Sequence, residues 1–118
     1  MEKRAKFTNK KVLFDKNIDL PDLPGVYKFF NSEHQIIYIG KAKNIKNRVK
    51  SYLNVRKGES KRIAKLKSSI KYIETIITKT ESDALILEQG LISKKRPHFN
   101  IQFRDDKSYP AIHLSTSK

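Results

Sequence analysis

The chain has 118 residues, enough for one domain that buries roughly two thirds of its unfolded surface. Its hydrophobic content of 37% is low but falls in periodic runs, which excludes general disorder. The absence of cysteine excludes disulfides and Cys-based zinc sites. The formal net charge is +14, and the excess is concentrated: Lys41 to Lys71 holds twelve basic residues and one acid, Glu59, the pattern of a phosphate-binding face.

Taken in order, residues 1–11 are basic and poor in apolar side chains, and are expected to form an arm or frayed start. Val12-Leu13-Phe14 and Ile18 are expected to pack on the domain edge, and the domain proper is placed at 20–118, after an edge segment 1–19. Leu20-Pro21-Asp22-Leu23-Pro24-Gly25 reads as a rigid entry turn, because two prolines forbid a central strand and discourage helix. Two β-rich runs follow, Val26 to Phe30 and Ile36 to Ile39, separated by the polar turn Asn31-Ser32-Glu33-His34. From Asn44 the spacing of Ile45, Val49, Tyr52 and Leu53 predicts a helix to about Val55.

Ser60 is a candidate N-cap for a second helix with the stripe Ile63, Leu66 and Ile70. Tyr72 to Thr78 is expected to form a third strand. Thr80 caps a third helix over about 82–94 that Pro97 stops, with Glu81 and Asp83 in its first turn suiting the helix dipole. That helix carries Ala84, Leu85, Ile86, Leu87, Leu91 and Ile92, and is expected to cross the sheet as the core helix. A charged loop, Arg104 to Lys107, and a last strand, Ala111 to Leu114, complete the expectation; the abrupt end after it suggests a piece of something longer. No apolar run is long enough to span a bilayer and no leader-type h-region opens the chain, so a soluble, cytoplasmic location is the default.

Glu88 stands on the same helix side as Ala84, Leu85 and Ile92. An ionised carboxylate there needs a cation or a metal, or else a stem laid along the surface with its head in water, paired with Lys95. Ile45, Arg48 and Tyr52 share one side of the first helix, so the guanidinium projects beside the apolar stripe, where it can serve as a bidentate phosphate ligand. Tyr27 and Tyr38 neighbour each other if their strands pair; they are amphipathic core tyrosines unless Lys41 or a bound cation favours phenolate. His34, His98 and His113 lack metal-ligand spacing, and no phosphate-cradling glycine loop occurs.

These residues stand in an order that resembles the GIY-YIG nuclease superfamily. The two naming tripeptides are Gly25-Val26-Tyr27 and Tyr38-Ile39-Gly40, followed by Lys41, Arg48, Glu88 and Asn100. Within the superfamily the chain is most similar to the N-terminal domain of the UvrC family, through LPGVY, YIGKAKNIKNRVKSY, LILEQGLI, the P-x-FNI segment and RDDKSYP. The resemblance implies an α/β domain of the α+β type, a small three-stranded antiparallel sheet flanked by helices. It implies hydrolysis of a DNA phosphodiester with one divalent ion, Mg²⁺ or Mn²⁺. By position, Glu88 would be the metal ligand, Arg48 would stabilise the pentacovalent phosphate, and Tyr38 would be the leading general base. Tyr27, Lys41, Tyr52 and Asn100 would orient water, phosphate or metal shell. Lys43, Lys46, Lys50, Arg56, Lys57, Lys61, Arg62 and Lys65 would contact DNA.

In the UvrC family such a domain makes the incision 3′ of a lesion once UvrB has marked the site, and the segments that meet UvrB lie elsewhere. A monomeric domain with DNA as partner and no membrane is expected. The valine of GVY, one methylene short of isoleucine, leaves the chemistry untouched. The alternatives are a non-catalytic basic nucleic-acid-binding module, which would lack the Glu, Arg or Tyr, and a small ribosomal-type RNA-binding protein, which would not explain Glu88 or the tyrosine pair.

Overall fold

The structure is a computed structural model and describes residues 10–104. A four-stranded antiparallel sheet has the order β1-β4-β2-β3, formed by β1 (Lys11–Leu13), β2 (Gly25–Phe30), β3 (Ile36–Ala42) and β4 (Tyr72–Ile77). The helices are α1 (Ile45–Lys50), continued by a 3₁₀ turn (Ser51–Leu53), then α2 (Lys61–Ser69), α3 (Glu81–Lys95) and α4 (His98–Arg104).

The expected three-stranded sheet is therefore corrected to four. β1 is the addition, pairing Val12 with Ile73 at the edge. A three-residue strand is too short for alternation to register in sequence, and its pairing is made by backbone groups that every residue has.

The β2–β3 hairpin turns through Asn31, whose side-chain oxygen accepts the Glu33 and Gln35 N–H groups at 3.0 Å each. His34 takes the left-handed conformation there, with φ 63°. Gly25 begins β2 against β4 so closely that a β-carbon would lie 2.3 Å from the Ile76 carbonyl oxygen. The proline turn has a job beyond entry. Leu23 and Pro21 carbonyls accept the Ile45 and Lys46 N–H groups at 2.9 and 3.1 Å, and Asn44 caps with its side chain, so the start of α1 is anchored to the chain that enters β2. This fixes where Arg48 stands.

Cores form on both sides of the sheet. The larger gathers Tyr27, Phe29, Tyr38 and Ile73 with Ile45 and Val49 of α1, Leu66 of α2, and Phe99 and Phe103 of α4. The smaller joins Val26 and Ile39 to Ala84 of α3.

Helix α3 has the expected Thr80 cap and bounds within a residue, but the expectation of an apolar core helix is corrected. Ala84 is its one buried residue, while Leu85 and Ile86 are 44% and 72% exposed. The inward stripe is Ala84, Leu87, Leu91 and Ile92, and Glu88 belongs to it. A run of consecutive apolar residues covers more than one side of a helix, so only part of it can meet the sheet.

Helix α4 is a further departure from the expectation. Pro97 ends α3 and also starts α4, since its carbonyl accepts the Ile101 N–H at 3.1 Å. The expected loop beyond Arg104 and the strand Ala111 to Leu114 lie outside the described residues.

Candidate active site

Register places Tyr27 opposite Gly40 and Phe29 opposite Tyr38. With no side chain at Gly40, the Tyr27 ring lies across it. Tyr27 is 1% exposed; its hydroxyl lies 3.0 Å from the Tyr52 hydroxyl and accepts Arg48 Nε at 3.4 Å. The Arg48 guanidinium also stands 5.8 Å from the Tyr52 ring centroid, and the residue as a whole is exposed. Tyr38 is buried, its ring stacked with Phe29 and edge-on to Phe103 at 5.8 Å. Its ring centroid is 6.3 Å from that of Tyr27 and 6.4 Å from that of Tyr52.

The charges follow from burial. Desolvation pushes the Tyr27 hydroxyl well above the usual phenol range, so it is neutral at physiological pH. Arg48 is held above its ordinary value, mainly by Tyr27, and stays a cation under all working conditions. The cluster is thus a fixed guanidinium seated on two hydrogen-bonded phenols.

The acid arrives from the other side of the sheet, along the free edge of β3. Glu88 is half-buried; its carboxylate accepts the Gln89 side-chain amide at 2.9 Å and lies beside the Lys41 main chain. Burial raises its pKa, offset by Gln89 and Lys41. The Lys41 ammonium lies 3.5 Å from Glu81, in the first turn of α3. Two residues back along the same edge, Asn100 of α4 accepts the Ile39 N–H at 2.7 Å and donates to the Ile39 carbonyl at 2.9 Å. Strand β3 therefore carries Gly40, on which Tyr27 and Arg48 are built, next to Lys41, on which Glu88 is built.

Residues 23–101 match the family described as the UvrC-like GIY-YIG domain. This chain belongs to that family. The UvrC-like GIY-YIG domain found here is 52% identical over 103 residues to the UvrABC system protein C of Neisseria meningitidis serogroup B, covering 87% of this chain and 16% of that protein. It superimposes with a TM-score of 0.59 and 42% identity on the GIY-YIG N-terminal endonuclease domain of UvrC from Thermotoga maritima bound to magnesium, over 67% of this chain and 84% of that one. Tyr-to-Phe and Asn-to-Ala mutants of that Thermotoga domain were likewise solved with the catalytic divalent cation bound.

Of the residues singled out in the sequence, Tyr27, Tyr38, Arg48 and Tyr52 form one cluster, and Lys41, Glu88 and Asn100 line the adjoining edge of β3. Asn100 has its amide engaged with the strand. Lys43, just before α1, and Arg56, Lys57, Lys61, Arg62 and Lys65 are exposed, and Lys46 and Lys50 of α1 partly so. Sequence reasoning missed two participants. Glu81 looks like an ordinary first-turn acid, and Phe103, which packs on Tyr38, follows Pro97 in a stretch with no helical signal. Glu59, the lone acid of the basic segment, is paired with Lys67 at 2.8 Å and accepts the Arg56 N–H at 3.1 Å, which ties down the loop leading into α2.

Proposed function

We propose that this domain hydrolyses a phosphodiester bond of DNA using a single divalent cation held by Glu88. The observation that carries the proposal is that a desolvated carboxylate and a phenol-seated guanidinium are tied to consecutive residues of β3, Glu88 beside Lys41 and Arg48 through Tyr27 opposite Gly40. The residues fit the ion. Glu88 is half-buried with its charge disfavoured, which a cation would relieve, and no cluster of three or more acidic or histidine side chains occurs among the described residues. One carboxylate, with waters and the substrate phosphate completing the shell, suits Mg²⁺ or Mn²⁺. When bound, the ion acts as a Lewis acid that neutralises charge on the phosphate.

The chain's own residues supply the rest. Arg48 is anchored through Nε, so its terminal nitrogens are free to face the phosphate in a fixed plane and to stabilise the pentacovalent state. Tyr27 and Tyr52 hold that plane. Tyr27 is unsuited to be a base, because its hydroxyl is already engaged with Tyr52 and Arg48. Tyr38 is assigned as general base: as the phenolate it takes a proton from the attacking water, whose oxygen forms the new P–O bond as the bridging ester oxygen departs. Lys41 supports the developing charge. Asn100 is assigned a positioning role, holding β3 in register rather than touching phosphate. The eight basic residues from Lys43 to Lys65 track the DNA backbone.

The chain spans 16% of the Neisseria relative. We further propose that, within a UvrC-type protein of the bacterial cytoplasm, this domain makes the 3′ incision of nucleotide excision repair after UvrB has marked the site. By itself it should nick weakly and without regard to damage. No helix among the described residues is long and apolar enough to cross a membrane.

The test is nicking of supercoiled plasmid in Mg²⁺ or Mn²⁺ by wild type and Glu88→Gln. Loss of nicking in the variant with unchanged DNA binding supports the assignment. Equal nicking by both proteins removes Glu88 as cation ligand, and tight binding without nicking by wild type makes this a binding module.

A further inference from the structure

Lys41 engages α3 twice. Its charge and its main chain both act on the Glu88 carboxylate, while the ammonium itself is paired with Oε2 of Glu81 at 3.5 Å. The two acids are two helical turns apart, about 10 Å along the axis. The flexible lysine stem starts beside Glu88, yet the charge is held at the outer end of the helix. Electrostatics alone would favour the other choice. Glu88 is the less solvated acid, whereas the Glu81 side chain is 50% exposed, and a pair with the buried carboxylate would be screened less by solvent. An ammonium on Glu88 would also occupy the oxygens a divalent cation needs.

We infer that Glu81 is a positioning residue: it holds the Lys41 ammonium away from Glu88 and so keeps that carboxylate open to a divalent cation. This rests on the assignment of Glu88 as cation ligand. Glu81 touches neither the cation nor the phosphate in this scheme; it acts entirely through Lys41. Removing it lets the ammonium fall back onto Glu88 and compete.

The experiment is Mn²⁺ binding by calorimetry, or by electron paramagnetic resonance of the free ion, without DNA. It compares wild type, Glu81→Gln, Lys41→Met, the double variant and Glu88→Gln. Glu81→Gln should weaken Mn²⁺ binding about three- to fivefold, the scale of a part-exposed ion pair. In the Lys41→Met background the same substitution should have no effect, because the competitor is gone. Unchanged affinity in Glu81→Gln overturns the inference. Equal weakening in both backgrounds also overturns it, since Glu81 would then act only as a distant negative charge. Glu88→Gln separates the two levels: if it binds Mn²⁺ like wild type, the cation assignment itself fails and takes the inference with it. If it loses binding while Glu81→Gln does not, only the role of Glu81 fails.

Discussion

A β-carbon at Gly40 would lie 2.4 Å from both Cζ and the hydroxyl oxygen of Tyr27, its partner across the hairpin. The glycine of the second tripeptide is there for the tyrosine of the first. Gly40→Ala must push aside a buried ring, at a cost of about 1–3 kcal/mol, and with it the seat of Arg48. Urea melts should show that loss, and plasmid nicking should fall well beyond what the lost stability explains.

Arg48→Lys keeps the charge but loses the planar fork and the Nε donor to Tyr27. Folding should be little changed, because the guanidinium lies at the open side of the cluster. Single-turnover nicking should drop on the order of 10²- to 10³-fold, the scale of removing one transition-state donor, with DNA affinity altered far less. A loss confined to affinity would make Arg48 an ordinary backbone contact.

Asn100→Asp replaces the amide that gives one hydrogen bond to Ile39 and takes another. A carboxylate can accept from the Ile39 N–H but cannot donate to its carbonyl. Both this variant and Asn100→Ala should cost about 1–3 kcal/mol, and the Ile39 amide of Asn100→Ala should lose hydrogen-exchange protection. Retained protection there would mean that the strand edge does not depend on α4.

Glu88 predicts a pH signature. Its folded-state pKa is raised by burial, so between the unfolded and folded values the folded chain binds more protons. Without cation, this group's contribution is unfavourable at neutral pH and is relieved as pH falls through its folded pKa. Glu88→Gln should therefore be at least as stable as wild type at neutral pH in the absence of divalent ions. Wild type alone should gain melting temperature on adding Mn²⁺. That gain should fade on acidification above the pH where an ordinary glutamate, near 4.3, titrates. Melting curves of both proteins across pH, with and without Mn²⁺, check each part.

The exposed lysines predict a salt effect. Replacing Lys57, Lys61 and Lys65 by Ala removes three exposed charges around the start of α2. DNA affinity should weaken alike for all sequences, and the log–log salt slope should shrink by up to about 0.9 for each phosphate no longer neutralised. An unchanged slope would place the DNA elsewhere.

Legibility in the sequence differs from residue to residue. The hairpin, the Ser60 and Thr80 caps and the strand Tyr72–Ile77 are readable because each is set by local rules: β-branched and aromatic content, turn composition, and a side chain meeting a nearby N–H. The family order of Tyr27, Tyr38, Arg48 and Glu88 is equally plain. What hides is non-local. β1 is three residues of backbone pairing, and α4 begins at a proline that also reads as a stop. Only the inward side of an apolar stretch in α3 meets the sheet, leaving Ile86 in water.

The sequence by itself determined which chemistry was on offer: one acid on an apolar helix side, one arginine beside a hydrophobic stripe, phenols beside glycines, and a dense basic segment. Only the tertiary structure decided where these groups stand. It did so through β3, whose free edge takes Glu88 and Asn100 while the adjoining Gly40 leaves room for Tyr27. The physical reason is that a spacing rule sees neighbours along one element. A strand edge that takes groups from separate helices is created by packing between elements far apart in the chain.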